Sequence, residues 1–469
     1  MIPYTLVILA WLVSTAVGAV TGLTGEEKQL IFQLTQNDKP HYSTFEEHPI
    51  NLQQYSSDKV IRVNYGEDED LLKALAGGDP EVEFKKWSKN SAERSIDIQI
   101  NSDNLEKLKG TFTNLTYKVV IEDLAQSIFE TYPDSAQTMN FEGDFHATSD
   151  LFFKEYRPLE LINSWLELLT DTYPDVITLE TIGKTYEGRP LNVVHLSIPD
   201  DDIEHHDRKT IVLTTGTHAR EWISVSTLLY TIYKMLEYYE NNPDNRRILT
   251  KLDFLFIPVM NPDGYVYTWE HDRLWRKNRQ AVSEDPNPKN CLGIDIDHSY
   301  NFHWTHSSDD ACGEEYSGEY AFEAYESKIW DDYLNATNKD HKIWGYLDLH
   351  SYSEEILMPY AYSCEQNPRD EENLIELAYG ISKAIRTNSG KYYSVLPACL
   401  DRDSDLLPDL GSGTALDYMY HNKAYWAYQL KLRDSGNHGF LLPHKYIEPV
   451  GEETFAGIQY FCKFILNDD

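Results

Sequence analysis

The sequence predicts an α/β protein: a mixed, mostly parallel sheet with helices on both faces, preceded by a small α+β domain. Three observations carry that expectation. From Phe152 onward, apolar runs of strand length alternate with stretches whose apolar residues recur at helical spacing. The runs at 211–217 and 252–260 are apolar on both faces, as strands covered on two sides are. Between about residues 20 and 145 the chain is polar, with only short apolar runs such as 60–63 and 117–121.

Taken in order, residues 1–19 have the form of a secretory signal peptide. Leu6 to Val13 is apolar and Ala16-Val17-Gly18-Ala19 offers small residues for cleavage, although no Lys or Arg precedes the apolar core. A signal-anchor is the alternative reading of the same stretch. No other segment is long and apolar enough to predict a membrane span. Residues 20–145 read as the small domain and a linker, the linker beginning near Tyr132. Residues 150–469 make the larger domain. Its predicted helices are 159–169, 223–239, 373–387 and 452–466. Its predicted strands are 176–182, 191–198, 211–217, 252–260, 342–349 and 425–432.

A net charge of −36 argues against binding to a phosphate backbone, which needs clustered Lys and Arg, so no nucleic-acid partner is expected. Two sequons, Asn114-Leu-Thr and Asn335-Ala-Thr, agree with export and with glycosylation. Of five cysteines, the first four could close two local loops, Cys291–Cys312 and Cys364–Cys399, while other pairings stay open. Cys462 shares an apolar helix face with Ile458 and Ile465, which predicts a buried free thiol. The expected address is the secretory pathway, ending outside the cell or in the vacuole.

The chemistry gathers at the end of the 211–217 run. Gly216 closes the strand and delivers His218, Arg220 and Glu221 at its carboxyl lip, where open α/β sheets bind ligands. His-x-x-Glu can offer a nitrogen and an oxygen to one metal ion, most naturally Zn²⁺, though the same pair also reads as a solvated helix pair. The run Ile343-Trp-Gly-Tyr-Leu-Asp-Leu-His350 ends in a third candidate ligand, followed by Ser351-Tyr352. Two His, one Glu and an open position describe a catalytic rather than a structural zinc site.

The runs Thr217-His-Ala-Arg-Glu-Trp, Asn261-Pro-Asp-Gly-Tyr, Arg273-Leu-Trp-Arg-Lys-Asn-Arg, Leu349-His-Ser-Tyr-Ser and Leu432-Arg-Asp-Ser-Gly occur in that order. Together they resemble the zinc carboxypeptidases of the A/B type over about residues 150 to 469. The resemblance implies that His218, Glu221 and His350 bind one Zn²⁺ per chain. It gives Arg276 the role of stabilising a developing oxyanion. It makes Ser351 and Tyr352 cleft-lining, and sets Leu416 where side-chain preference is decided, favouring an apolar group. Residues 20–145 would then be pro-region-like and cover the cleft.

Three departures stand against these matches. The family's general base is the Glu of Glu-Leu-Arg-Asp; here the run is Lys431-Leu-Arg-Asp. Alternation places Lys431 with Gln429 and Arg433, on the cleft side. An ammonium cannot take a proton from zinc-bound water, and losing a general base typically removes roughly 10²–10⁴-fold in rate. The family's Asn-Arg carboxylate anchor is replaced by Asp297-His298, in Gly293-Ile-Asp-Ile-Asp297-His298-Ser299. That loses a bidentate guanidinium fork. A bridge from Asp297 to Lys431 would make the two exchanges compensate. Finally, no Tyr lies between Tyr393 and Tyr418 to close over a ligand, and the matching loop reads Leu406-Leu-Pro-Asp-Leu-Gly.

This set resembles a fungal branch of the family regarded as inactive and linked to cell-wall organisation. It implies a pseudo-enzyme with no catalytic residue, holding a peptide or cell-wall-related ligand in its cleft. One rival is an active peptidase in which Lys431 is made neutral by zinc and Arg276, with His298 as a weak anchor. Another is a purely structural protein with an empty metal site, which conflicts with the intact ligand set.

Overall fold

The structure is a computed structural model and describes residues 50–77, 81–133, 145–198, 208–241, 246, 248–282, 291–306, 311–402, 404 and 407–467. The expected leader and residues 134–144 of the expected linker lie outside the described residues. Leu52–Asp469 is one compact unit and holds every element named here; the other unit, Met1–Asn51, is described only at its last two residues.

The small sheet comes first in the chain. Strands β1 (Asp58–Asn64), β2 (Lys85–Asn90), β3 (Ser95–Asn101) and β4 (Thr116–Ile121) pair in the order β2-β3-β1-β4, all antiparallel. Helix α1 (Glu69–Gly77) falls between β1 and β2, and α2 (Ser102–Thr111) between β3 and β4. Asn101 caps α2 by accepting from the Asn104 N–H. Side chains alternate along a strand, so Ile96, Ile98 and Ile100 of β3 enter the apolar core with Leu75 and Leu108. Asp97 and Gln99 take the opposite face, yet they too are buried. This sheet is therefore covered on both sides.

Helices α3 (Leu124–Phe129) and α4 (Phe145–Phe152) come next in the chain, followed by the larger domain. It begins with α5 (Leu159–Thr172), β5 (Ile177–Lys184), β6 (Pro190–Leu196), β7 (Lys209–Thr215), α6 (Trp222–Asn241), β8 (Leu252–Ile257) and α7 (Pro262–Glu270). Helix α8 (Tyr325–Ala336), β9 (Lys342–Ser351), β10 (Glu355–Met358), α9 (Glu371–Ser389), β11 (Ser394–Pro397) and α10 (Ala398–Arg402) continue it. Helix α11 (Ala415–Asn422), β12 (Trp426–Leu432) and α12 (Ile447–Asn467) complete it.

The eight strands run in the order β11-β10-β12-β9-β7-β8-β6-β5. Contacts β12–β9, β9–β7, β7–β8 and β10–β11 are parallel; β10–β12, β8–β6 and β6–β5 are antiparallel. The sheet is mixed and mostly parallel, as the apolar runs predict. Helix α6 is buried almost all round over its first four turns because it packs on β7 and β9 and against α12. Strands β10 and β11 were not among the predicted elements. Each is four residues long, and the two show unbroken runs of one burial class, so neither carries a period to read.

Candidate metal centre and cleft

The turn after β7 is where the backbone first constrains the site. Gly216 has φ +68°, and a Cβ there would lie 3.0 Å from Val225 Cγ2 and 3.2 Å from Val259 Cα. Asn261 caps α7 and its amide also donates to the Thr217 carbonyl at 3.2 Å. The Ala219 N–H donates to the Arg276 carbonyl at 3.0 Å. These bonds fix the loop that presents His218 and Glu221. Beneath it, Trp222 stacks on Trp269 at 4.2 Å and the Arg273 guanidinium sits 3.6 Å from the Trp222 ring.

His218, Glu221 and His350 come together. His218 Nδ1 is 2.8 Å from Glu221 Oε1, His350 Nδ1 is 3.0 Å from Glu221 Oε2, and the two Nδ1 atoms are 3.1 Å apart. Zinc bonds of 2.0–2.1 Å at tetrahedral angles set donor atoms roughly 3.3 Å apart, so this donor set fits a divalent ion such as zinc. The far nitrogens face carboxylates that sequence reasoning missed. His218 Nε2 lies 3.3 Å from Asp295 Oδ1, and His350 Nε2 lies 3.1 Å from Asp348 Oδ2. Asp348 is itself oriented by Thr214 Oγ1 at 2.7 Å. Carboxylates behind imidazoles fix the ring and its tautomer.

Asp295 also receives Arg276, through Nε at 3.1 Å and Nη2 at 2.7 Å. Burial raises the Asp295 carboxyl, but Arg276 and His218 outweigh it and hold it well below the usual range.

Lys431 faces the cleft with Gln429, because β12 runs parallel to β9 with Lys431 opposite His350, and antiparallel to β10 with Lys431 opposite Glu355. Arg433 does not share that face. It lies past the end of β12 and donates to buried Glu453 of α12. The bridge between Asp297 and Lys431 is not formed. Lys431 Nζ instead donates to Asp401 Oδ1 at 2.6 Å, with Glu355 at 3.8 Å, and Arg402 Nη2 donates to Asp297 Oδ2 at 2.7 Å. One dipeptide, Asp401-Arg402 of α10, thus answers both exchanged charges. Burial raises Asp401, and Lys431 with Arg402 brings it below its ordinary value, whereas burial leaves Glu355 raised.

Of the other expected cleft residues, Arg276 and Ser351 line the cavity. Asp297 and His298 lie behind its wall, fully buried, with His298 Nδ1–H donating to the Ser412 carbonyl at 2.9 Å. Burial lowers the His298 pKa, which works against a cationic anchor. Tyr352 does not line the cavity: its hydroxyl donates to Asp97 at 2.8 Å and its ring meets Phe440. Leu416 is buried away from the cavity. Cys291–Cys312 and Cys364–Cys399 are bonded, Cys462 is free and buried, and Asn114 and Asn335 are exposed. The second disulfide, together with the Cys399 N–H donating to the Tyr360 carbonyl at 3.1 Å, pins the short helix that carries Asp401 and Arg402.

The small sheet closes the cleft, leaving a cavity of about 60 Å³ lined from that side by Lys86, Trp87, Lys89 and Ile96. Trp87 packs on Phe440 at 5.2 Å, Lys89 donates to the Leu400 carbonyl at 2.8 Å, and Lys86 pairs with Glu315 at 2.9 Å. In place of a closing tyrosine, the loop offers Leu407 and Leu410 to the small sheet's core. Burial raises Glu315, but Lys86 and Arg276 overcome it and leave it at about 2. A free glutamate titrates near about 4.3. This clamp is therefore complete above about 4.3 and is lost as pH falls towards about 2. Hydrogen exchange at β2, corrected for intrinsic rates, should stay flat from neutral pH to about 4.5 and rise below it. Glu315→Gln should remove part of that step and raise exchange already at pH 7.

A candidate metal-ligand cluster at the carboxyl ends of neighbouring parallel strands, under a mixed sheet flanked by helices, places the domain in the class of α/β folds built around a metal position. Residues 162–457 match the family described as zinc carboxypeptidase, and the chain belongs to that family. The inactive metallocarboxypeptidase ECM14 of Saccharomyces cerevisiae is 49% identical over 387 residues, 82% of this chain and 87% of that protein. The inactive metallocarboxypeptidase ECM14 of Ajellomyces dermatitidis is 37% identical over 457 residues, 92% and 75%. Among solved structures, thrombin activatable fibrinolysis inhibitor matches with a TM-score of 0.74 at 26% identity, covering 88% of this chain and 100% of that one. The carboxypeptidase A of Helicoverpa armigera shares the fold, with a TM-score of 0.73 at 24% identity over 88% of this chain and 98% of that one.

Proposed function

We propose that this chain is a zinc-binding carboxypeptidase homologue that no longer hydrolyses peptides and uses its cleft to hold a ligand, with a part in cell-wall organisation. The observation that carries the reading is the Lys431–Asp401 pair. Lys431 Nζ is committed as a donor to the buried carboxylate of Asp401 at 2.6 Å, and Gln429 beside it carries no carboxylate. As a donor to Asp401, Lys431 does not take a proton from a nucleophile, which is the step a general base supplies. The names of the relatives, which call them inactive, support the same reading. The rival in which Lys431 acts as a neutral amine has Asp401 against it.

His218, Glu221 and His350 would hold the zinc, with Asp295 and Asp348 orienting the imidazoles. Bound there, zinc supplies a Lewis-acid position for a ligand oxygen. Export to the cell exterior or vacuole is supported by the leader-like sequence of residues 1–19, the two disulfides and the exposed Asn114 and Asn335. Among the described residues, no helix is long and apolar enough to cross a membrane. Protein purified without added metal is expected to carry about one zinc per chain by elemental analysis, and His350→Ala well under half that. Zinc-free unaltered protein would support an empty structural site instead.

A further inference from the structure

Asp295 and Asp297 stand two residues apart on one turn, and each holds an arginine of the cleft wall. Arg276 is gripped by Asp295 at 2.7 Å, and Arg402 by Asp297 at 2.7 Å, with Arg402 Nη1 also 3.4 Å from His298 Nε2. Both aspartates are fully buried, and both arginines line the cavity. Arg276 is near enough for its charge to act against that of Arg402, and Glu315, paired with Lys86, acts on both arginines. A carboxylate bound from behind fixes one edge of a guanidinium and leaves its other donors for a second oxyanion. Trp87, Ile96, Leu410 and Phe440 put apolar surface into the same cavity.

We propose that Arg402, beside Arg276, forms a recognition site for the carboxylate of an apolar organic acid. Arg402 reaches this position from α10, a segment with no counterpart among the sequence motifs, and brings a guanidinium back to Asp297-His298. The proposal rests on the reading of the cleft as a ligand-holding site. It changes what that site selects: recognition of an acid survives the loss of the base.

Calorimetry on the full chain with 4-methylpentanoate and its neutral counterpart 4-methylpentanamide tests this. The acid is expected to bind at least tenfold more tightly than the amide, and the preference should persist after zinc is removed with a chelator. Arg402→Gln should bring the ratio to about one. Arg402→Lys, which keeps the charge without the fork, should retain part of it and serves if the glutamine variant does not fold. Failure of the acid to bind, equal binding of acid and amide, an unchanged ratio in Arg402→Gln, or a preference abolished by chelation would each overturn the proposal. Peptide hydrolysis would overturn the non-hydrolytic reading and leave this one standing.

Discussion

Lys431→Glu is expected to destabilise the protein by about 3–5 kcal/mol and to restore no hydrolysis. In sequence terms it returns the family's general base, so recovery of activity is the naive expectation. In the fold it places a carboxylate against Asp401, which now lies 2.6 Å from the Lys431 ammonium, and beside Glu355 at 3.8 Å. Asp401 and Glu355 are each 3% exposed in their side chains, so water screens the new repulsion poorly. Losing one member of a buried pair leaves the other uncompensated, and this variant adds a like charge to that loss. Denaturant unfolding measures the cost. The double variant Lys431→Glu with Asp401→Lys should recover most of it, and a double-mutant cycle isolates the coupling. Unchanged stability in the single variant would mean that the pair does not hold Lys431.

Asp295→Asn should have the second-largest effect, in two separate readouts. Asp295 is fully buried, accepts twice from Arg276 and stands 3.3 Å from His218 Nε2. The amide neither neutralises the guanidinium nor accepts on both oxygens, so about 3–5 kcal/mol of stability is at stake. It also releases the imidazole of His218, and losing a carboxylate that orients a metal-binding imidazole lowers metal affinity by about 10–100-fold. Competition with a chromophoric chelator reads the second effect independently of unfolding. A stability loss with unchanged zinc affinity would confine Asp295 to Arg276.

What sequence could reach divides along physical lines. The central strands β7 and β8 are buried on both faces and so carry apolar residues at consecutive positions, Ile211-Val212-Leu213 and Phe254-Leu255-Phe256-Ile257. The candidate metal ligands were legible because a strand end, a helix start and a His-x-x-Glu spacing coincide at one place. The face of Lys431 followed from strand alternation, whereas Arg433 lies past the strand, where that rule has no hold. Asp401 and Arg402 were out of reach. They belong to a short helix placed by a disulfide and a backbone hydrogen bond, and only the fold brings them to Lys431 and Asp297. The same holds for Tyr352, whose motif position implies a cleft residue but whose hydroxyl is taken by Asp97 of the small sheet. A side chain's motif does not reveal what another domain will lay over it.

The central claim is that the cleft keeps its metal position and has lost its base to an ion pair. The most direct measurement is peptide hydrolysis by zinc-loaded protein, both as the full chain and with the residues before Phe145 removed, at measured zinc content. Peptides with free and with amidated C-termini should both be recovered intact, at one zinc per chain. Turnover that depends on His350 and disappears in Lys431→Ala would contradict the account and make Lys431 a catalytic group.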